Sequence, residues 1–408
     1  MLKSIHVFTF FALTLLSCRP KLSASLVEND ETPPNALFTE LCTGYPQLGQ
    51  DERSIFTSIV GSAFDQTLST VKEGHTCEKI WTKMLEVKKF ELRADVADLS
   101  HLKILAPIPD STLQIQISKY PKHFEILKEL KLRKLTIESF DEDMEPLTVA
   151  EKDEMLAVIV AGPQLESLRL ERLGLSDLTG LTSLQGLISL DLSGNKVESL
   201  MFLKDWQSLK ELNCYRCAVT DLTPLKNLLT LWRLELSENL VTSVDPLMFV
   251  ANLRDLQLNR NPPLPNIMAL QFLPGLKYLG LEHAGIKNIE PLKQLPLEFV
   301  NLRSNPFDSI EALRNAPIKE LFISRTMVAD LSPVATMNSL KRLGIAFTPA
   351  TSLPELPLNI PLTTLDMEGT ALQSLCPALK LPTLVNVRTP DGGFMTPFQI
   401  SDARSNCG

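Results

Sequence analysis

The chain has 408 residues, 44% of them hydrophobic and 22% charged, which is the composition of a folded protein rather than a disordered one. Aromatic residues are only 6% of it, and the formal net charge of -8 is mild and spread along the chain. No basic stripe is present to neutralise phosphates, so nucleic acid is excluded as an expected partner.

The N-terminus bears on the compartment. After Lys3, an apolar run from Val7 to Leu16 is too short to span a bilayer and reads as the core of a signal peptide. It ends in Leu15-Leu16-Ser17-Cys18, which resembles the lipobox of bacterial lipoproteins. The resemblance implies that residues 1–17 are removed and that the Cys18 thiol takes a diacylglyceryl group. The competing reading is an ordinary signal peptide with an incidental cysteine. Acyl chains hold a protein on a membrane, because each buried methylene contributes about 0.8 kcal/mol. Arg19 follows, rather than the Asp that retains lipoproteins at an inner membrane, so an exported chain lipid-anchored to the bacterial membrane is expected, the outer membrane or a periplasm-facing position being favoured.

Residues 18–35 are polar and irregular and read as a flexible tether. Residues 36–86 read as helical. Ile55, Phe56, Ile59, Val60, Phe64 and Leu68 recur at helical spacing, and a second helix is expected over 77–85, with Ile80, Trp81 and Leu85 facing in. Such a pair suits the N-terminal cap of a solenoid, whose first coil otherwise exposes its core.

Repeats then carry most of the reading. The pattern L-x-x-L-x-L-x-x-N starts at Leu165, Leu187, Leu209, Leu231, Leu253, Leu276, Leu297, Ile318, Leu340 and Leu362, every 21 to 23 residues, which gives ten regular copies over 165–383. Degenerate copies occupy 87–164, near Val87, Asp110 and Leu132, and the last of these has room for a helical insertion. There Thr148 and Glu151 form a capping-box pattern and Gly162 a stop. The first, fourth and sixth positions of each copy point inward. The ninth turns the chain out of the strand and needs a side chain that bonds orphaned backbone groups. Asn195, Cys217, Asn239, Asn261, Asn305, Thr326, Thr348 and Thr370 hold it, while Leu173 and Ala284 interrupt it and are expected to loosen their coils. Pro224, Pro246, Pro291 and Pro333 recur on the return side and suit a 3₁₀ or irregular path there.

Together with the 22-residue period, these prolines make residues 87–387 resemble the internalin-type leucine-rich repeats of bacteria. The resemblance implies a right-handed α/β solenoid, with a curved parallel sheet on the concave side. Internalins bind host receptors through that sheet, so it also implies a protein-binding role. An adhesive or structural envelope protein that contacts polysaccharide or a cell-envelope component is the alternative. Residues 384–408 read as a C-terminal cap, and a monomer is expected.

Seven cysteines are present; with Cys18 set aside, six remain, enough for three disulfides. Six cysteines allow 15 pairings. Position along the chain favours Cys42 with Cys77, which bracket the N-terminal cap, and Cys376 with Cys407 at the other end. Cys214 and Cys217 read first as small buried hydrophobes, with a local disulfide open; a redox motif would need a helix N-terminus that this coil lacks. The five histidines are isolated, and no nucleophile, phosphate-loop or metal-ligand pattern occurs, so neither enzyme activity nor a metal or cofactor is expected.

The candidate site follows from strand alternation. The third, fifth and seventh positions lie on the concave face, and the second and eighth at its margins. Aromatics recur there at Tyr215, Trp232, Tyr278, Phe299, Phe322 and Phe347, beside Arg233, Glu235, Asn301 and Arg342. Aromatics and arginines dominate binding hot spots, so these residues are the expected contacts of an unidentified protein partner. Mutual packing of the aromatics across strands is the competing explanation.

Overall fold

The computed structural model describes residues 36–45, 56–60, 77–92, 98–139, 146–162 and 164–407. The signal segment, Cys18, the tether and the positions Ile55, Phe64 and Leu68 lie outside the described residues. The chain divides into two compact units, one ending at Leu187 and one beginning at Ile188, so the copy that starts at Leu165 belongs to the first.

In the first unit, helices span Ala36–Thr43 and Cys77–Val87, and residues 56–60 are helical too. Phe38 packs against Phe56 and Trp81, at ring separations of 5.8 and 5.0 Å, and the Cys42–Cys77 disulfide joins the two helices. The second helix buries Ile80, Trp81 and Met84; Leu85, expected to face in, is half-exposed because Met84 takes the inward position one turn after Ile80. Four parallel strands follow: β1 (Lys89–Leu92), β2 (Ser111–Ile117), β3 (Leu132–Ser139) and β4 (Ser167–Glu171). Their apolar positions align in register: Phe90 with Leu113, Leu113 with Leu135, Leu135 with Leu168. The longer third coil contains a helix over Val149–Ala161. Its N-terminus is closed by the reciprocal Thr148–Glu151 bonds, and it buries Met155, Leu156, Val158 and Ile159.

The second unit is a ten-strand parallel sheet of short strands: β5 (Ser189–Asp191), β6 (Glu211–Asn213), β7 (Arg233–Glu235), β8 (Asp255–Gln257), β9 (Tyr278–Gly280), β10 (Phe299–Asn301), β11 (Glu320–Phe322), β12 (Arg342–Gly344), β13 (Thr364–Asp366) and β14 (Asn386–Arg388). The fourth repeat position forms one aligned column, Leu190, Leu212, Leu234, Leu256, Leu279, Val300, Leu321, Leu343, Leu365 and Val387. Every member is at most 1% exposed. Full burial of such a side chain contributes about 1.5–3 kcal/mol, so the column is the main apolar spine of the unit.

The return path is built of 3₁₀ turns. Thr223–Asn227, Asp245–Phe249, Glu290–Leu292 and Ser332–Thr336 each carry one of the recurring prolines as their second residue, whose missing N–H has no helical partner to lose there. At the far end the Gly393 to Met395 segment covers the outer edge of β14, with Met395 N–H donating to the Val387 carbonyl. A helix over Pro397–Ser405 follows, tied back by the Cys376–Cys407 disulfide and by Arg404, which donates to the Leu379 and Leu381 carbonyls at 2.7 and 2.9 Å.

Candidate binding face

Two backbone ladders fix the sheet face of the second unit. The first runs along the ninth repeat position. Asn239 Nδ2 donates to the Cys214 carbonyl, and its Oδ1 accepts from Val219 N–H. Asn261 links Leu236 and Val241 in the same way. Asn305 donates to the Leu281 and Leu302 carbonyls and accepts from the N–H groups of Ala284 and Ile286. These amides therefore couple one coil to the one before it. The threonines do less: Thr326, Thr348 and Thr370 each donate to the carbonyl three residues earlier, at 2.7 to 2.8 Å, and so close their own turns. Asn195 donates to Leu192 at 2.7 Å. Cys217 is bridged to Cys214, so a covalent bond closes the turn where the other coils carry an amide or hydroxyl. The reading of these two cysteines as buried free thiols is thereby corrected, and Cys217 is half-exposed rather than sealed in the core. The expected loosening at Ala284 is also corrected: its N–H is held by Asn305, and its carbonyl accepts from Leu264 N–H.

The second ladder lies at the eighth position. Arg216, Glu238, Arg260, His283, Ser304, Arg325 and Phe347 all have φ between 51° and 60°, as does Arg172 in the first unit, and Gly194 and Gly369 share the conformation. The cause is a hydrogen bond. Each of these N–H groups in the second unit donates to the carbonyl of the seventh residue in the next coil, as Arg325 does to Ala346 and Phe347 to Glu368. A left-handed backbone costs a non-glycine residue about 1–2 kcal/mol, so a bulky Phe347 there is an outlier held by its surroundings. The turn throws eighth-position side chains up at the rim of the face. The strand alternation used for the sequence reading misses this, and the two glycines at that position were the available clue.

The candidate residues divide by exposure. Tyr278, Phe347 and Tyr215 are 43%, 41% and 36% exposed. Trp232, Phe299 and Phe322 are half-buried, and Phe299 and Phe322 pack on each other with ring centres 5.8 Å apart. Asn301 is buried and donates to Glu282. Glu235 is half-buried and accepts from Ser237 N–H; burial pushes its carboxyl above the ordinary carboxylate range. Arg233 pairs with Asp255 at 3.4 Å, and Arg342 with Glu320 at 3.5 Å. The structure thus brings Tyr278, Phe299, Phe322 and Arg342 onto strands β9 to β12, with Phe347 in the turn that follows β12, and leaves Tyr215 at the other end of the face. Tyr215 donates to Glu238 at 2.9 Å, which raises the phenol and lowers the carboxyl. Sequence reading missed Arg303 and Arg325, whose guanidinium carbons lie 4.1 and 4.4 Å from the ring centres of Phe322 and Phe347.

Among the described residues, no group of three or more His, Cys, Asp or Glu side chains is placed to hold a metal ion, and no helix is long and apolar enough to cross a membrane.

No protein-family model and no curated protein sequence matches the chain. Solved structures do resemble it. An internalin (inlF) of Listeria monocytogenes is 19% identical, with 79% of this chain and 86% of that one covered and a TM-score of 0.58. A leucine-rich-repeat protein of Leptospira interrogans is 18% identical over 80% of this chain and 97% of its own, with a TM-score of 0.54. The functional domain of InlJ from Listeria monocytogenes, which includes a cysteine ladder, is 16% identical over 81% and 77%, with a TM-score of 0.52. The chain therefore has the leucine-rich-repeat solenoid fold that the internalins share, with a parallel sheet and 3₁₀ turns between its strands.

Proposed function

We propose that this is an exported interaction module whose concave sheet face in the second unit binds a protein partner. The observation that carries the reading is the surface of β9 to β12, where exposed Tyr278 and Phe347 flank the Phe299–Phe322 pair. Neither exposed ring has a share in the apolar spine, and Phe347 is held in a left-handed backbone conformation that its size disfavours. Large, rigid aromatics on a pre-formed surface are the residues from which interface hot spots are built. Strand spacing of roughly 4.8 Å makes the six or seven coils from Leu209 to Leu340 a face about 30 Å long, enough for an interface of standard size.

Export is supported by the three disulfides, which persist in oxidising compartments, and by the signal-like N-terminus. Anchoring through Cys18 is the membrane attachment we propose. No catalytic step is assigned to the face.

Cross-linking capture from envelope and target-cell extracts tests the binding role. The native chain is compared with a variant carrying Tyr215→Ala, Tyr278→Ala and Phe347→Ala, all exposed positions, with circular dichroism as the folding control. A protein captured by the native chain and lost with the variant supports the reading. Identical capture by both, or loss of capture on adding free glycans, overturns it. For the anchor, Cys18→Ser is expected to move the protein from the membrane to the soluble fraction; unchanged membrane association would refute lipidation at that thiol.

A further inference from the structure

Two side-chain stacks on the sheet face of the second unit share one construction. In the first, the Arg303 guanidinium lies 4.1 Å from the centre of the Phe322 ring. That ring in turn lies against Gly344, where an added Cβ would sit 3.0 Å from its Cδ1. In the second, the Arg325 guanidinium lies 4.4 Å from the centre of the Phe347 ring. That ring covers Gly369, where an added Cβ would sit 2.4 Å from its Cδ1. Arginine, aromatic and glycine come from three successive coils in both cases; the first stack uses the seventh, fifth and fifth repeat positions, and the second, one coil further on, uses the eighth position throughout. The glycine seats the ring. The ring occupies one face of the guanidinium and leaves the N–H donors in its own plane accessible from the side, except that Arg303 Nη1 donates one long bond to Asn301 Oδ1 at 3.5 Å.

Neither cation is neutralised in place. Elsewhere on this face the arginines close onto carboxylates: Arg216 onto Glu238, Arg233 onto Asp255, Arg260 onto Glu282, Arg342 onto Glu320, Arg388 onto Glu368, at 2.6 to 3.6 Å. Among the described residues, no carboxylate lies within ion-pair distance of Arg303 or Arg325. Arg303 is half-buried, and burial pulls its guanidinium below the usual value, with Glu282 and Asp366 opposing that from beyond contact. A partly dehydrated guanidinium without a counter-ion is a strong donor to any carboxylate that reaches it.

We propose that Arg303 and Arg325 form a two-point receptor for carboxylates, and that the partner of this face is a protein segment presenting two acidic side chains to the coils of β10 to β12. This rests on the protein-binding reading of the concave face and names the chemistry of the partner. The charge around the pair favours protein over a polyanion. Glu282, Glu320, Asp366 and Glu368 stand on the neighbouring coils, all but Asp366 in the ion pairs with Arg260, Arg342 and Arg388, so a sulfated glycan or a nucleic acid would carry its uniform charge past these pairs and across Asp366. A protein segment can bring two carboxylates to the arginines and set neutral or basic groups against those four acids. Tyr278 and Phe299, beside the stacks, supply apolar contact for the rest of such a segment.

The test pans a random peptide library displayed on phage against the native full chain, with Arg303→Gln and Arg325→Gln chains as comparisons. Selected peptides are expected to share two acidic residues at a fixed spacing. They should bind either single variant at least about tenfold more weakly, the loss of one charged hydrogen bond, and should weaken as salt rises. Phe347→Leu keeps an apolar side chain but removes the ring beneath Arg325, and should weaken the same peptides while the circular dichroism spectrum stays native. Peptides without acidic residues that bind both arginine variants as well as the native chain, yet are lost with Tyr278→Ala, would overturn the receptor while leaving the protein-binding reading intact. Failure to enrich acidic peptides, with heparin bound instead in an arginine-dependent way, would overturn both.

Discussion

Arg216 and Arg325 occupy the same eighth position of their repeats, in the same left-handed turn and on the same kind of backbone hydrogen bond. Their fates differ because of one residue in the following coil. Arg216 meets Glu238 and closes a 2.7 Å ion pair, and the same pattern of closure recurs at Arg260 with Glu282 and at Arg233 with Asp255. Arg325 meets Phe347 and stacks on it, and Arg303 stacks on Phe322. In the β5 to β8 half of the face Arg216, Arg233 and Arg260 thus close onto carboxylates, whereas the β10 to β12 stretch holds, beside the Arg342–Glu320 pair, two cations stacked on rings instead. A solenoid repeats a backbone and not a surface: the successor at each position decides whether a charge is spent inside the protein or presented.

The largest effects that sharpen this comparison are on stability. Asn305 serves five backbone groups, three of them (Leu281, Ala284 and Ile286) in the preceding coil, and Asn305→Ala removes its bond to every one of them. Urea unfolding should show a loss of about 3 kcal/mol or more, while Thr348→Ala, which removes one bond within its own turn, loses about 1 kcal/mol. Equal losses would mean that amide and hydroxyl rungs do the same job and that the two stretches are not differently coupled.

Next in size are the glycine seats. Gly369→Ala adds a methyl 2.4 Å from the Phe347 ring in a left-handed backbone, and about 2 kcal/mol of destabilisation is expected by the same unfolding assay. Gly344→Ala, whose added methyl would be 3.0 Å from Phe322, should lose less and should shift the near-ultraviolet circular dichroism of the aromatic pair. The arginines themselves are expected to matter little for folding. Arg216→Gln and Arg325→Gln should each stay within about 0.5 kcal/mol of the native chain, because both side chains are exposed.

The smallest expected effect is a pH dependence in the β5 to β8 half. Burial raises the Glu235 carboxyl in the folded chain above its unfolded value. A raised carboxyl favours the fold when protonated, so the benefit is full below the unfolded value, near pH 4, and is lost as pH rises through the folded one. Glu235→Gln should therefore melt slightly higher than the native chain at neutral pH, and the difference should vanish below pH 4. A difference that persists in acid would place its origin elsewhere than in the ionised carboxyl.

The period, the inward leucines and the convex prolines made the fold class readable, because each rests on local chemistry repeated many times. The Thr148–Glu151 capping box was readable for the same reason, as one short pattern with one physical meaning. The candidate face was less so. Its aromatics could be placed on strands, but exposure depends on the neighbouring coil, which is why Tyr278 stands out while Phe299 and Phe322 lean together. Arg303 and Arg325 were passed over because alternation along a strand says nothing of the left-handed turn after it or of a ring one coil away. Cys214 and Cys217 were ambiguous on the same ground: three residues apart on a strand exit, they meet only because the turn there is tight.

The most direct test compares Arg216→Gln with Arg325→Gln in binding affinity for the protein captured by the native chain, measured side by side at low and physiological salt. Arg325→Gln is expected to weaken binding about tenfold or more, and Arg216→Gln to leave it within about twofold, because only the first cation is free to meet a partner. Equal effects of the two substitutions, or a larger effect at Arg216, would contradict it and move the binding surface to the opposite half of the face.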